Sequence, residues 1–139
     1  MHYPAKFTRA IEGGWLITFR DLPEAISQAE ESEDREEVAS GCLQAAIEGR
    51  IGYDMGLLPP ASLARRGEVL ISLPLETAAK AALCVAMKEA GVSKSELARR
   101  LHVGEKEVRR MLDTGHATKF PRLDLAVRAL WRRLEISLT

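Results

Sequence analysis

VSKSELARRLHVGEKEVRRMLD, residues 92–113, is the stretch of sequence that decides how the second half of the chain folds. It has the pattern of two short helices joined by a tight turn at residues 102–104. Ser93 can cap the first helix, and Glu96 three residues later completes a capping box. Apolar residues recur at helical spacing on both sides of the turn; they are Leu97, Ala98 and Leu101 before it, and Val108, Met111 and Leu112 after it.

The second helix of this stretch has a basic outer face formed by Lys106, Arg109 and Arg110. Basic side chains on an exposed helix provide the chemistry that reading the major groove of DNA requires. An ordinary helical hairpin with a solvated charged face would have the same residues. The DNA-reading interpretation is favoured because the cap, the turn and the basic residues coincide in one short run.

Charge is distributed unevenly along a chain whose 20 basic and 20 acidic residues cancel. Residues 1–74 contain 7 Lys and Arg against 12 Asp and Glu, a formal charge of −5, and residues 75–139 contain 13 against 8, a charge of +5. Two halves of opposite charge indicate two modules with different partners. With 46% hydrophobic and 29% charged residues, the composition is that of a globular protein.

The two cysteines, Cys42 and Cys84, lie far apart in apolar helical patterns. Their spacing is not that of a zinc or redox site, so we expect buried free thiols in a reducing compartment. The first residues, MHYPAKFTR, lack an apolar signal region, and no run of residues is apolar for long enough to cross a membrane. The sequence therefore predicts a cytoplasmic protein.

Residues 1–74 have the alternating pattern of a small antiparallel sheet. Residues 2–9 are predicted as a strand in which Pro4 favours an edge or an early position. Gly13 and Gly14 predict a hairpin, since paired glycines accept the positive φ of tight turns. Further strands are predicted over residues 15–19, which the Asp-Leu-Pro turn at 21–23 ends, over residues 25–29, and at Val69, Ile71 and Leu73.

Residues 30–37 contain six carboxylates around one arginine, Arg35. They fit the acidic first turn of a helix, which the helix dipole favours, and they also fit an acidic surface for a basic partner. An apolar stripe continues this helix until Pro59 and Pro60; it consists of Val38, Cys42, Leu43, Ala46 and Ile47. The first module is therefore predicted to be α+β, with one helix packed on an antiparallel sheet.

Residues 75–139 are predicted to form an all-α module, with the domain boundary between residues 74 and 75. Residues 75–90 are an alanine-rich helix that Gly91 can cap. The two helices of residues 92–113 follow, and then a loop and a final helix through Leu123, Val127, Leu130 and Trp131. The last six residues alternate and could add a short strand.

No pattern in the sequence supports catalysis or a bound metal. The three histidines have no carboxylate or histidine at metal-ligand spacing, and no glycine-rich phosphate loop joins a strand to a helix. Glu12, Asp21 and Glu24 could form a carboxylate cluster, although solvation of loop ends is their more ordinary role. We therefore expect a protein that is not an enzyme and that has no metal or other cofactor.

Residues 3–32, YPAKFTRAIEGGWLITFRDLPEAISQAEES, resemble the amino-terminal domain of the HicB antitoxins. The family pattern has a Tyr-Pro strand, a Gly-Gly hairpin, an aromatic strand, an Asp-Leu-Pro turn and a polar run into a helix. These elements are here Tyr3-Pro4, Gly13-Gly14, Trp15–Phe19, Asp21-Leu22-Pro23 and Ser27-Gln28. The helix-turn-helix of residues 92–113, of the phage-repressor type, matches the HicB proteins that carry such a domain, so the resemblance covers nearly the whole chain.

The chain departs from the pattern of this family at three places. Glu24-Ala25 stand where many relatives have Gly-Cys, His102 stands where glycine is usual in the turn, and Gly104 stands where a Ser or Thr cap is common. Histidine adopts positive φ more readily than a branched residue does. We therefore expect a slightly strained turn with the fold retained.

The resemblance implies an antitoxin of a two-gene toxin–antitoxin module. Residues 1–74 would be a HicB-like domain, similar to part of a ribonuclease-H-like sheet, that binds and neutralises a small basic HicA-type toxin that cleaves mRNA. Residues 75–139 would repress the operon of the protein by binding operator DNA, an inverted repeat, as a homodimer; pairing of dimers into a tetramer is left open. The main alternative is a stand-alone helix-turn-helix regulator whose amino-terminal domain senses a ligand, and a second is an enzyme that uses the carboxylates of the α+β module.

Alignment to the repressor-type pattern places Glu105, Lys106 and Arg110 where base-contacting side chains project. Arg110 is the first candidate, because a bidentate arginine–guanine contact is worth about 1–3 kcal/mol of discrimination. Arg109 is predicted to contact phosphate, and the further backbone candidates are Ser93, Lys94, His116, Thr118 and Lys119. The candidates for toxin binding are Trp15, Asp21 and Glu24, although a tryptophan in a strand is more often a core anchor.

Overall fold

A computed structural model describes residues 1–53, 58–60 and 62–138. The chain divides into two units, one made of Met1–Gly49 and Pro59–Pro74 and the other of Arg50–Leu58 and Leu75–Thr139. The first unit contains the sheet and the second is helical, which confirms the predicted α+β class. The domain boundary between residues 74 and 75 stays a prediction.

The first unit is built on a four-stranded antiparallel sheet in the order β3-β2-β1-β4. The strands are β1 His2–Arg9, β2 Trp15–Phe19, β3 Ile26–Ala29 and β4 Glu68–Ser72, which confirms the four that were predicted. Gly13 and Gly14 form the β1–β2 turn, with φ of 97° and 78°. A Cβ on Gly14 would lie 2.4 Å from the carbonyl oxygen of Ala29, so this position needs glycine for space as well as for its φ.

β1 is an interior strand, with β2 on one side and β4 on the other. Of the two positions predicted for Pro4, the edge of the sheet is therefore wrong and the early position in the strand is confirmed. Pro4 lies opposite Leu70 of β4, and the β1–β2 ladder begins one residue later, at Ala5 opposite Phe19. Since proline has no N–H to donate, it fits an interior strand best at a residue that pairs with only one of the two neighbouring strands, as Pro4 does with β4.

Helix α1, Arg35–Tyr53, contacts the sheet at β1 and β4. Asp34 caps the helix, because its carboxylate accepts the N–H of Glu36 at 3.0 Å. The guanidinium of Arg35 lies 4.7 Å from the ring centre of Phe7, and the Ser40 hydroxyl donates to the carbonyl of Ser72 at 3.4 Å. The carboxylates of residues 30–37 thus lead into the first turn of a helix, as predicted. Its buried stripe is shifted from the predicted one; the buried residues are Ala39, Leu43 and Ile47.

The second unit contains the helices α2 Leu75–Ala90, α3 Lys94–Leu101, α4 Glu105–Leu112 and α5 Phe120–Arg128. Gly91, with φ of 66°, ends α2 as predicted. The N–H groups of Gly91 and Val92 donate back to the carbonyls of Lys88 and Met87, the bond pair of a Schellman motif. All four helices contribute to one core, whose fully buried members include Leu83, Leu97, Val108 and Leu123.

The end of the chain differs from the prediction. α5 ends at Arg128, so Leu130 and Trp131 lie beyond the helix that was expected to include them. Trp131 is 94% exposed and has φ of 62°, a conformation that cannot continue a right-handed helix. Residues 132–138 form no strand, because the described part of the second unit consists of helices and offers no strand to pair with.

Two other expectations concern burial and membranes. Cys42 and Cys84 are each half-buried, not buried as predicted, and partial burial raises the pKa of the Cys42 thiol. Among the described residues, none of the helices combines the length and the apolar character needed to span a bilayer.

Candidate functional site

The turn between α3 and α4 forms as the sequence predicts. The Ser93 hydroxyl accepts the N–H of Glu96 at 3.1 Å and caps α3. The other half of the predicted capping box is replaced, since the Glu96 carboxylate accepts from Arg99 and Arg100 instead, and these hydrogen bonds lower its pKa. Three residues then lead to α4, so two short helices are joined by a turn of the length predicted for a helix-turn-helix.

His102 ends α3 in the left-handed conformation, with φ of 55° and ψ of 42°. This confirms the positive φ expected where related proteins have glycine. The N–H of His102 donates to the carbonyl of Arg99, and the N–H of Val103 donates to that of Ala98. The turn is therefore a Schellman motif with histidine at the position that usually takes glycine. Gly104 caps α4 without a side-chain hydrogen bond.

The predicted base-reading face of α4 is exposed and partly neutralised. Arg109 pairs with Glu105 at 2.8 Å, and Arg110 pairs with Glu107 at 2.7 Å. Lys106 is exposed and makes no ion pair with any described residue. Val108 and Met111 lie in the core, which orients the basic side chains outward. Exposed ion pairs of this kind are worth about 0–1 kcal/mol, so another anion can replace their carboxylates.

A surface cleft beside α4 gathers four of the predicted DNA-contacting residues. Arg110 lines it from the helix, and His116, Thr118 and Lys119 line it from the loop between α4 and α5. Met111, Ala117, Glu107 and Arg122 complete the lining, and the last two form an ion pair at 3.1 Å. The cleft thus joins the end of the predicted reading helix to the predicted phosphate-contacting loop.

Ser93 and Lys94 are exposed at the first turn of α3 and do not line this cleft. Lys94 makes no ion pair with any described residue, so its ammonium is available to an anion. The Ser93 hydroxyl already accepts one N–H of the helix end. The nine DNA-binding candidates therefore divide into the face of α4, the following loop and the start of α3.

Lys80 of α2 is a residue of this region that the sequence pattern did not reveal. Its side chain is fully buried, and its ammonium donates to the carbonyl oxygens of Arg110, Asp113 and His116. The available signal was that Lys80 is the sole charged residue of α2 between Glu76 and Lys88. Helical periodicity alone does not reveal that such a lysine points inward.

In the first unit, Asp21 belongs to an internal network. Its carboxylate accepts from the Ser62 hydroxyl at 2.5 Å and lies 3.4 Å from Arg20. Arg20 also forms a two-bond pair with Glu68, at 2.9 and 3.2 Å. Hydrogen bonding from Arg20 and from the backbone N–H of Arg65 lowers the pKa of Glu68. The network ties the end of β2 to the segment that precedes β4.

Trp15 lies at the other end of β2 from Asp21 and is half-buried. Guanidinium groups of Arg9 and Arg35 lie 4.4 and 4.2 Å from the centre of its ring. Arg9 also pairs with Glu31, whose carboxylate accepts the N–H of Gly14 at 3.0 Å; this backbone bond lowers the pKa of Glu31.

The three toxin-binding candidates are therefore not one cluster. A five-residue strand separates Trp15 from Asp21, a distance of about 20 Å at the usual rise, while Glu24 is exposed in the turn before β3. Glu12, in the β1–β2 turn, is likewise at the far end of β2 from Asp21. Among the described residues, no three His, Cys, Asp or Glu side chains are placed so that they could hold a metal ion.

The carboxylates that precede and begin α1 form the largest acidic surface of the first unit. All six are exposed; they are Glu30, Glu31, Glu33, Asp34, Glu36 and Glu37. Glu31 is paired with Arg9, and Asp34 caps α1. The side chains of Glu36 and Glu37 project from the first helical turn, where the helix dipole favours their charge.

Comparison with known proteins gives the class of this protein. Residues 2–82 match the family described as the HicB_like antitoxin of a bacterial toxin-antitoxin system. The match includes the whole sheet, α1 and the first turns of α2. The fold and the match together define an antitoxin, a class that implies a cognate toxin as partner.

Relatives of similar length extend the match to nearly the whole chain. Antitoxin HicB of Escherichia coli (strain K12) is 34% identical over 98% of each chain. Antitoxin HicB 2 of Photorhabdus laumondii is 32% identical over 98% of this chain and 95% of its own, and Antitoxin HicB of Pseudomonas fluorescens is 31% identical over 90% and 86%. The chain belongs to the HicB antitoxin family. This membership favours the antitoxin over the predicted alternative, a stand-alone ligand-sensing regulator.

Proposed function

We propose that the chain neutralises a HicA-type toxin through its first unit and represses its own operon through its second. Family membership supports the toxin as partner. The observation that carries the repressor half is the cleft that gathers Arg110, His116, Thr118 and Lys119 beside the exposed face of α4. A helix face that reads bases, next to a loop that holds the phosphate backbone, is what operator recognition requires.

In this proposal the residues of α4 have different roles. Arg110 and Lys106 are four residues apart on one helical face and contact base edges in the major groove. Glu105 lies one turn before Arg109 and pairs with it in the free protein; on DNA its carboxylate accepts from a base. Arg109, the loop residues and the first turn of α3 contact phosphate. On binding DNA, Arg109 exchanges its carboxylate partner for a phosphate and Arg110 exchanges its partner for a base edge, and both new contacts are stronger.

Arg110→Ala and Arg109→Ala test these roles as a matched pair, because each removes one exposed arginine and one intrahelical ion pair. Gel shifts with the DNA upstream of the coding sequence and with a random duplex give the two affinities. Arg110→Ala should cost about 1–3 kcal/mol on the upstream DNA, roughly 5- to 150-fold, and much less on the random duplex. Arg109→Ala should weaken both by the same factor. Equal losses for Arg110→Ala would show that this arginine contacts phosphate and reads no base.

The repressor half also requires a homodimer, because a two-fold inverted repeat is read by a two-fold protein. Exposed apolar residues in and after α5 support this, since Leu125 is 60% exposed and Trp131 is 94% exposed. Sedimentation of the purified chain should give twice the mass of 15.4 kDa, or four times if dimers pair. A monomer at micromolar concentration would contradict the proposed symmetry.

For the toxin, the proposal assigns a role to charge at the start of α1. The exposed carboxylates of residues 30–37 complement a basic toxin that itself binds RNA. Trp15, Asp21 and Glu24 remain candidate contacts. The half-buried position of Asp21, in its network with Arg20 and Ser62, makes it the weakest of the three.

A charge-matched pair of variants tests the acidic surface in the full chain. Glu36→Gln/Glu37→Gln removes two negative charges from the first unit, and Asp124→Asn/Glu135→Gln removes two from the second. The first variant should associate more slowly with purified toxin, with a weaker dependence on salt, because exposed charges act mainly on association rates. The second should behave as the wild type. Equal effects of the two variants would show that only net charge matters, and the surface assignment would be wrong.

A further inference from the structure

The buried ammonium of Lys80 contacts the end of α4 and the loop that follows it. Nζ lies 2.5 Å from the carbonyl oxygen of Asp113 and 3.4 Å from that of Arg110, and it also donates to the carbonyl of His116. The Lys80 side chain is 0% exposed. A protonated amine has three hydrogens and a neutral one has two. Three carbonyl acceptors therefore match the charged form.

These carbonyls lie at and just beyond the carboxyl end of α4, where those of Arg110 and Asp113 also accept the backbone N–H groups of Asp113 and His116. Arg110 lies in the last turn of α4, Asp113 is its C-cap in an extended conformation with φ of −81°, and His116 lies in the loop beyond. The last carbonyls of a helix carry the negative end of its dipole. Lys80 thus closes α4 with a positive charge from inside the unit and holds residues 113–116 against that charge.

A second side chain of α2 holds the same loop one step further along. Glu76 lies one helical turn before Lys80, and its carboxylate accepts the N–H of Thr118 at 3.2 Å. Burial lowers the pKa of the Lys80 ammonium, and the negative charges of Glu76 and Asp113 oppose this shift in part. Residues 113–118 are therefore attached to α2 at both ends.

We infer that Lys80 is a positioning residue for DNA binding: it sets where the loop of His116, Thr118 and Lys119 lies relative to Arg110 on α4. Lys80 is too deeply buried to touch DNA itself. The inference rests on the proposed operator binding and adds to it a residue outside the helix-turn-helix. Without the ammonium, three carbonyls lose a charged donor and residues 113–116 are no longer attached to α2 there, while the face of α4 keeps its packing through Val108 and Met111.

Loss of Lys80 should therefore affect DNA affinity differently from loss of a base-reading residue. A displaced loop cannot hold phosphate, and phosphate contacts carry no sequence information. Lys80→Met should therefore weaken binding to upstream and to random DNA by a similar factor and leave the ratio of the two nearly unchanged. Arg110→Ala should change that ratio. A general decrease in stability would reduce the active fraction without changing the salt dependence of the remaining protein.

The experiment compares the full-length wild type, Lys80→Met and the charge-matched control Lys6→Met, whose exposed lysine lies in the first unit. Fluorescence anisotropy with the upstream duplex and a shuffled duplex, over a range of KCl concentrations, gives affinity and its salt slope. The affinity of Lys80→Met should be about tenfold weaker, and its salt slope should fall by about 0.9 for each phosphate that the loop no longer neutralises. Lys6→Met should match the wild type. An unchanged slope for Lys80→Met would overturn the inference.

Glu76 provides a second pair of variants in case Lys80→Met fails to fold in circular dichroism. Glu76→Gln and Glu76→Ala remove the same charge, but only the glutamine keeps an acceptor for the N–H of Thr118. Glu76→Ala should bind both duplexes more weakly than Glu76→Gln and with a smaller salt slope. Equal binding by these two variants would also overturn the inference. A wild type that binds the upstream and shuffled duplexes alike would instead refute the proposed operator recognition.

Discussion

Replacing His102 by glycine should stabilise the second unit, although it removes a side chain from a turn at the centre of the proposed DNA-binding motif. His102 has φ of 55° and ψ of 42° and closes α3 in a Schellman motif. Its side chain is exposed, so truncation removes little packing. The substitution therefore isolates the cost of the left-handed backbone.

The expected magnitude follows from two opposing terms. A residue with a Cβ costs about 1–2 kcal/mol in the left-handed region, and glycine removes that cost. Glycine also has more freedom in the unfolded chain, which offsets about 0.5–1 kcal/mol. At the middle of both ranges the net gain is about 0.7 kcal/mol. In a unit of this size, that gain corresponds to a rise of about 3–6 °C in the midpoint of thermal unfolding.

Urea unfolding followed by far-ultraviolet circular dichroism measures this effect, because the second unit contains most of the helix. His102→Asn is the matched control and should stay near the wild type, since asparagine tolerates positive φ. His102→Val should be less stable than both, because a branched residue fits this conformation poorly. If the urea midpoint of His102→Gly were no higher than that of the wild type, and that of His102→Val no lower, the left-handed turn would not be the conformation in solution.

Two further predictions concern the first unit. Gly14→Ala should destabilise this unit much more than Gly67→Ala. Both glycines have positive φ, 78° and 84°, but only at Gly14 would the new Cβ meet a backbone atom, at 2.4 Å. Similar urea midpoints for the two variants would contradict the role of space at Gly14. Glu68→Gln should make unfolding less dependent on acid. The pKa of Glu68 is lowered from 4.5, so its charged form stabilises the fold above that pH, and the stabilisation is lost as the pH falls below it. If Glu68→Gln and the wild type lost the same amount in urea midpoint between neutral and acidic pH, the Arg20–Glu68 pair would not contribute.

Much of the fold could be predicted from the sequence, because the determining interactions are local. The strands, the glycine turn, the cap of Ser93 and the ends of α2 and α3 depend on residues within a few positions of each other. Where the local signal was weak, the prediction failed: Trp131 has the spacing of a helix residue but lies beyond the end of α5.

The candidate site was predictable only in part. The basic face of α4 follows from helical spacing, and the motif order in residues 3–32 indicated the family to which the chain belongs. The carboxylate partners of Arg109 and Arg110 were also within reach of the sequence, since they lie three and four residues away. The division of charge between the two halves of the chain was visible in composition alone.

Contacts between residues far apart in the chain were decided only by the tertiary structure. Lys80 meets carbonyls 30 to 36 residues later, and Arg20 meets Glu68 across 48 residues. Local periodicity determines which residues share a face, but it does not determine what that face packs against. A buried charge such as that of Lys80 is tolerated only where distant groups supply its partners, so its position beneath the proposed DNA-binding surface emerges once the helices have packed.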